Sequence, residues 1–215
     1  MSSVAASLSL PPEIALFPLN GVLLLPRGEL PLNIFEPRYV AMVDDALRGD
    51  RMIGMIQPRA FGVENPPLFD VGCAGRITSF EETGDGRYLI TLTGVSRFSV
   101  TQETAGRNGY RRARADWGAY AGDLQAKACV SLDRAKLKKL LGVYFEQHGI
   151  ACDWGHIDSA TDEKLINCLS MICPFDAAEK QVLLEAACCD ARAEKFMAML
   201  EMAVKAGGCC GGHCH

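Results

Sequence analysis

A chain of 215 residues, 49% of them hydrophobic and 22% charged, has room for one large domain or two small ones around a real core, and its composition is that of an ordinary globular protein. A formal net charge of −4 argues against bulk attraction to nucleic acid or to an anionic membrane surface. The start, "MSSVAASLSLPP", has no Lys or Arg before Arg27, and no run reaches the roughly 18 apolar residues of a membrane span, so a cytoplasmic protein without a membrane partner is expected.

Residues 1–12 read as a disordered start. From Glu13 to about residue 122 the texture is β. "IALFPL", "GVLLLP" and "LPLNIF" are short apolar runs punctuated by Pro and Gly. "RYVAMVDDALRGD" has the spacing of one helix, with Tyr39, Val43 and Leu47 on its apolar face and Gly49 as its stop. "RMIGMIQ" reads as a buried strand. "LFDVGCAGRITSFEE" and "RYLITLT" flank "TGDGR", a hairpin signal, and "RFSVTQET" and "YRRARADW" alternate as half-buried strands do.

Beyond residue 122 the periodicity becomes helical. Ser131 is placed to cap a helix with Leu137, Leu140, Leu141, Tyr144, Phe145 and His148 on one face, ended by Gly149. Cys152 and His156 have helix-like spacing, but Gly155 between them suggests a loop. A second helix near Thr161 carries Leu165, Ile166, Leu169 and Ile172. Asp176 and Glu179 form a capping-box pattern after Pro174, and Asp190 starts a last helix that Gly207 closes. Cys168, Cys173, Cys188 and Cys189 lie within apolar helical patterns, where small buried hydrophobes are expected. Strands followed by helices predict an α+β fold with a β-rich lobe over 13–122, a helical lobe over 123–206 and a flexible tail over 207–215.

"NIFEPRY" poses a choice between chemistry and scaffolding. Pro37 suits the first helical position, where its missing N–H costs nothing. Glu36 then sits at the positive end of the helix dipole, Arg38 is free to tie the junction to a neighbouring strand, and Tyr39 begins the buried face. An arginine beside a carboxylate favours an ion pair over a general acid, so this is a structural motif.

The stretch "LFPLNGVLLLPRGELPLNIFEPRYVAMVDDAL" resembles the opening of the N-terminal substrate-binding domain of Lon-type proteases, and more closely its stand-alone bacterial versions and the LON domain of RING-finger proteins. The resemblance continues through "MIGMIQP", "LFDVGCAGRITSFEETGDGRYLITLTGVSRFSV" and, more loosely, "CPFDAAEKQVLLEA", covering roughly residues 13–205. It implies a PUA-like β-barrel lobe with one helix, then a C-terminal helical bundle. It also implies a non-catalytic module that engages polypeptides, as an adaptor in protein quality control. No G-x-x-x-x-G-K-[ST] phosphate loop and no Ser-Lys proteolytic domain can be read in these residues, so no enzyme activity is expected. Phe17, Leu19, Phe61 and Phe69 are the candidate peptide anchors.

Two features point elsewhere. The tail "GGCCGGHCH" offers Cys209, Cys210, His213, Cys214 and His215 as ligands for Zn or another soft transition metal, although adjacent Cys209 and Cys210 suit one tetrahedral ion poorly. No cofactor is required by the polypeptide-binding reading, and a metal- or redox-responsive tail is its alternative. "RNGYRRARADW" places Arg112 and Arg114 on a face with Tyr110, a basic-aromatic pattern that makes RNA binding the third reading, against which the overall acidity counts.

Overall fold

The structure is a computed structural model that describes residues 10–60, 62–125, 132–151 and 154–209. The chain divides into two compact units, residues 1–20 with 24–125, and residues 21–23 with 126–215.

The first unit contains strands β1 (Glu13–Pro18), β2 (Glu29–Ile34), β3 (Met52–Ile56), β4 (Val71–Glu82), β5 (Tyr88–Arg107) and β6 (Tyr110–Asp116), and helix α1 (Pro37–Arg48). They make one six-stranded sheet in the order β2-β5-β4-β3-β1-β6, and β6 also pairs with β5. The pairings therefore close into a ring, β1–β3–β4–β5–β6–β1, with β2 added on β5. Only β1 and β3 run parallel. A parallel pair needs a crossover, and β2 with α1 supplies it. The fold is the expected α+β one.

Ring closure falls on β5. Its first part, from Tyr88 to Ser99, pairs with β4, and its second part, from Ser99 to Arg107, pairs with β6. The sequence predicts two strands here, broken at Gly94. The structure has one, because Gly94 is a close approach instead of a turn. A Cβ at this position would lie 2.0 Å from the Leu25 carbonyl oxygen. Gly94 also exchanges backbone hydrogen bonds of 2.8 Å with Arg27 and Gly28. "GVLLLP", read as strand-like, forms no strand. Leu23, Leu24 and Leu25 are apolar because they are buried, not because they pair.

Phe98 is fully buried in the core of this unit, with Ile14, Leu16, Met52, Ile56 and Ala113 around it. Gly54 and Gly72 leave the room its ring occupies: a Cβ on either would lie 2.8 or 2.7 Å from the ring's Cζ. Next to it, the Arg97 side chain is only 4% exposed. Asp123 accepts from its backbone N–H, Nε and Nη2 at 3.0, 2.8 and 2.8 Å, and the guanidinium lies 4.4 Å from the centre of the Tyr120 ring. A buried cation requires such a partner, and the pair fixes the 3-10 segment Gly118–Leu124 against β5.

Helix α1 begins as read, with Pro37 in its first turn and Tyr39, Met42 and Val43 buried. Glu36 is extended and its side chain caps nothing.

The second unit holds α2 (Arg134–His148), α3 (Trp154–Ser159), α4 (Asp162–Ile172), α5 (Ala177–Leu184) and α6 (Cys189–Cys209). Asp133 caps α2 by accepting from the Lys136 N–H at 2.9 Å, and Gly149 closes it at φ 64°. Ser131, the expected cap, lies outside the described residues. Residues 154–159 are helical where a loop was expected. Thr161 caps α4, and the Asp176–Glu179 capping box of α5 is complete, with bonds of 2.8 and 2.9 Å. Helix α6 starts one residue before Asp190 and continues through Gly207 to Cys209. Gly207 serves close packing, since a Cβ there would lie 2.7 Å from the Gln147 side chain.

Leu137, Leu141, Leu165, Leu169, Leu183 and Leu200 are buried, and Phe175 meets Tyr144 and Phe196 with ring centres 5.9 and 5.6 Å apart. Of the cysteines expected in the core, Cys173 is buried, Cys168 and Cys188 are exposed thiols, and Cys189 is half-buried and disulfide-bonded. Cys168 and Ile172 are one helical turn apart on a face the neighbours do not cover.

Buried polar groups tie the helices. Lys180 donates to the carbonyls of Gly21 at 2.8 Å and Met171 at 3.2 Å, satisfying an orphan at the end of α4. Arg192 donates to the Leu183 carbonyl and to Asn167 Oδ1, both at 3.0 Å. Burial lowers the Lys180 pKa.

Two outcomes follow for stability. Gly54→Ala forces its methyl against Phe98, 2.8 Å from the ring's Cζ, and lowers the unfolding free energy by about 2–3 kcal/mol. Thermal denaturation measures this, and a second change, Phe98→Leu, recovers part of it. Burial raises the Cys173 pKa from 9.0 to about 12. A raised folded-state pKa gives stability that is complete below the unfolded value and lost as pH rises through the folded one. The window is therefore pH 9 to 12. Urea unfolding at pH 8 and at about pH 10.5 is expected to show wild type losing roughly 2 kcal/mol relative to Cys173→Ala between the two.

Candidate functional site

The first unit carries a cleft of about 460 Å³ built from four pieces of chain. Pro18 and Leu19 end β1, where the Leu19 N–H still bonds the Ile56 carbonyl at 3.0 Å. Arg38 and Tyr39 come from the start of α1. Gly109, Tyr110 and Arg111 come from the β5–β6 hairpin. The loop from Pro58 to Pro66 forms the remaining wall.

The hairpin turns at Asn108 and Gly109, with φ of 51° and 84°. Two successive left-handed residues of this type make the turn that matches strand twist, and Asn-Gly is the sequence pair that adopts it most readily. The loop turns back at Gly62 and Asn65, also left-handed at φ 74° and 50°. Its ends are held by bonds from the Arg59 N–H to the Pro67 carbonyl at 2.7 Å and from the Phe69 N–H to the Gln57 carbonyl at 3.0 Å.

Asp45 anchors the hairpin to α1. Its carboxylate accepts from the Tyr110 hydroxyl at 2.9 Å and from Asn108 Nδ2 at 3.3 Å, and lies 3.4 Å from Arg107 and 3.5 Å from Arg48. Burial, then the bond to Asp45, raises the Tyr110 pKa. Burial also raises that of Tyr39.

The arginines of the cleft are already engaged. Arg38 donates twice to Glu36 Oε2, at 3.0 and 2.8 Å, and its guanidinium lies 4.6 Å from the Tyr39 ring centre. The expected tie from Arg38 to a neighbouring strand is thus an ion pair with the residue two before it. Arg111 forms a two-pronged pair with Glu103 and donates to the Pro66 carbonyl at 2.6 Å, which fastens the loop to β6.

Of the structural motif, Arg38 and Tyr39 line the cleft, and Glu36 and Pro37 are not among its lining residues. Of the proposed anchors, Leu19 lies on the cleft wall. Phe17 is 6% exposed and packs on Tyr39 with ring centres 4.4 Å apart. Phe69 is half-buried beneath the Arg59 guanidinium, 4.7 Å away, and lies off the cleft. Phe61 lies outside the described residues. Val63, 57% exposed on the wall, and the Asn108–Gly109 turn were missed. The Asn-Gly pair alone would have placed the turn.

The arginine strand is β6. It is paired on both sides, so its arginines guard no edge. Arg112 and Arg114 lie 3.3 and 3.8 Å from Glu13. Among the described residues no cluster of three or more His, Cys, Asp or Glu is placed to hold a metal. Cys209 ends α6, and Cys210, His213, Cys214 and His215 lie outside the described residues. No helix among the described residues is long and apolar enough to cross a membrane.

Tyr110→Phe is expected to destabilise the first unit by about 1 kcal/mol. A double-mutant cycle with Asp45→Asn checks this, and a coupling of similar size identifies the hydroxyl–carboxylate bond as the cause.

Comparison with known proteins identifies the family. Residues 13–202 match the family described as the ATP-dependent protease La (LON) substrate-binding domain. Lon protease 2 of Myxococcus xanthus is 30% identical over 110 residues, which are 50% of this chain and 13% of that protease. Lon protease 2 of Sorangium cellulosum is 31% identical over 106 residues, 47% of this chain and again 13% of the protease. The matched stretch thus spans about an eighth of the length of these relatives. A Lon N-terminal domain protein from Xanthomonas campestris superimposes with a TM-score of 0.60 at 20% identity, covering 86% of this chain and 97% of its own. The N-terminal domain of the Mycobacterium avium complex Lon protease gives 0.58 at 16% identity, covering 90% and 98%. These two likenesses concern the fold.

Proposed function

This chain belongs to the LON substrate-binding domain family, and from that premise we propose that it is a non-catalytic module that holds polypeptide segments in the cleft beside Arg38 and Tyr39. The observation that carries the reading is that one concave site of about 460 Å³ brings together two residues of the Phe-Glu-Pro-Arg-Tyr string and the anchor candidate Leu19. The volume lies within the usual range for a binding site, roughly 300–1,000 Å³. Its walls mix apolar surface from Leu19, Pro58, Val63 and Pro66 with the polar groups of Asn20 and Asn65. Such walls suit an extended segment that buries one or two apolar side chains while its backbone finds hydrogen bonds.

Held charge argues in the same direction. Arg38 and Arg111 are paired with Glu36 and Glu103, so neither is committed to a charged substrate. The Tyr39 and Tyr110 hydroxyls have raised pKa values, the opposite of what an activated nucleophile needs. We extend the reading to a cytoplasmic adaptor that retains clients for a separate protease.

The test uses fluorescein-labelled, reduced and carboxymethylated α-lactalbumin, a permanently unfolded polypeptide, in an anisotropy titration. The double variant Leu19→Glu/Val63→Glu is expected to weaken binding by about tenfold with an unchanged circular dichroism spectrum. Equal affinity for variant and wild type sinks the cleft as the site.

A further inference from the structure

We infer that the helical unit carries a second polypeptide-binding site, a groove along α4 that takes a short apolar segment bearing an acidic side chain. The inference rests on the polypeptide-binding reading above and adds a site and a specificity to it.

The groove encloses about 500 Å³. Its walls come from Phe145 of α2, Ile157 of α3, and Leu165 and Leu169 of α4. Ile172 stands at its rim with 65% of its surface exposed. The apolar surface continues past the mouth, because Trp154 is 39% exposed with its ring centre 6.5 Å from that of Phe145. A cavity that opens onto further apolar surface fits a chain running through it better than a small molecule enclosed by it.

Charge selects the occupant. Lys164 is the one charged side chain among the described lining residues, and its ammonium has no ion-pair or hydrogen-bond partner among the described residues. The acids on the adjoining turns are already engaged: Asp158 pairs with Lys138, and Asp162 pairs with Arg134 at 2.5 Å. An incoming carboxylate therefore meets a cation with no competing acid among the lining residues.

The helix sets the spacing. Lys164, Cys168 and Ile172 recur every four residues along the exposed face of α4. Eight residues at about 1.5 Å each put roughly 12 Å between the cationic end and the apolar end. An extended chain covers that distance in about four residues. The occupant is thus an acidic residue followed or preceded, within three or four positions, by large apolar ones.

The full-length chain tests this with two fluorescein-labelled peptides, Glu-Ala-Leu-Leu-Phe and Lys-Ala-Leu-Leu-Phe, in anisotropy titrations. Ile172→Lys is expected to weaken the acidic peptide at least about fivefold. Lys164→Glu is expected to weaken the acidic peptide and to strengthen the basic one, a reversal that general destabilisation does not produce. Both positions are exposed, and circular dichroism melts confirm that both variants fold. In the Leu19→Glu/Val63→Glu background, which removes any contribution of the cleft, the preference for the acidic peptide over the basic one and its reversal by Lys164→Glu are expected to persist.

The inference is overturned if the acidic peptide fails to bind wild type, or if it binds wild type, Ile172→Lys and Lys164→Glu equally. Loss of the peptide only in the cleft double variant overturns the groove and leaves the cleft reading standing. Peptide binding that follows the groove variants, with unfolded α-lactalbumin indifferent to the cleft variant, supports the groove and removes the cleft. Decanoate binding that depends on Lys164, without peptide binding, assigns the groove to a small amphiphile and overturns the inference.

Discussion

The first unit depends on one strand serving two sets of neighbours. An open sheet of six strands has two edges, and an open edge is a liability in water. Here β5 removes most of it by pairing with β4 over its first half and β6 over its second. The change of partners occurs around Ser99, and the demanding side chains lie just before it. Phe98 fills the centre of the ring, and only glycine at 54 and 72 leaves space for it. Arg97 carries a charge into the same region, and Asp123 must meet it. Packing, pairing and charge thus converge on two adjacent residues, whose disruption would be felt by β3, β4 and β6 together.

The cleft is a product of that closure. To bring β6 between β5 and β1, the chain must turn tightly at Asn108 and Gly109, which delivers the hairpin tip to the start of α1. A Cβ on Gly109 would lie 3.3 Å from that of Arg38. Asp45 then holds the tip through Tyr110 and Asn108. Three of the four pieces of the cleft wall are the ends of strands and of a helix instead of a free loop. The loop from Pro58 to Pro66 is itself fastened through Arg111. A site built this way spends little of its binding energy on ordering the protein.

Much of the architecture was legible because it is written in periodicity and caps. Alternation marks the second half of β5 and β6. The four-residue rhythm of Leu165, Leu169 and their neighbours marks α4, and Asp176 with Glu179 announces α5 without ambiguity. What was not legible depends on groups distant in sequence. Gly94 looks like a breaker and is a contact point for Leu25. Leu23 to Leu25 look like a strand and are a buried irregular segment. Ile172 fits the apolar spacing of its helix yet faces outward, since periodicity gives the width of a stripe and not which neighbour covers it. Lys180 and Arg192 were invisible because a buried cation is defined by the carbonyls that surround it. The cleft was partly legible for the same reason. The string around Arg38 stands out in one dimension. Phe17 near the end of β1 and Leu19 just beyond it differ in whether a ring from α1 already covers them.

The acid–proline–arginine string reconciles structure with recognition. Proline starts the helix, and tyrosine is buried against Phe17. The acid does not cap the helix. It neutralises Arg38 instead, and so permits a guanidinium to stand at a cleft over an aromatic face without demanding an anion from the ligand. An unpaired arginine there would select acidic segments, and a hydrophobic residue would select for greasiness alone. A self-compensated one offers a flat, polarisable surface that discriminates little by charge, as the proposed polypeptide-binding role requires. On the proposed reading, the charge tolerance of the cleft comes from the Glu36–Arg38 pair, while the helix start rests on Pro37 and the buried Tyr39 beside them.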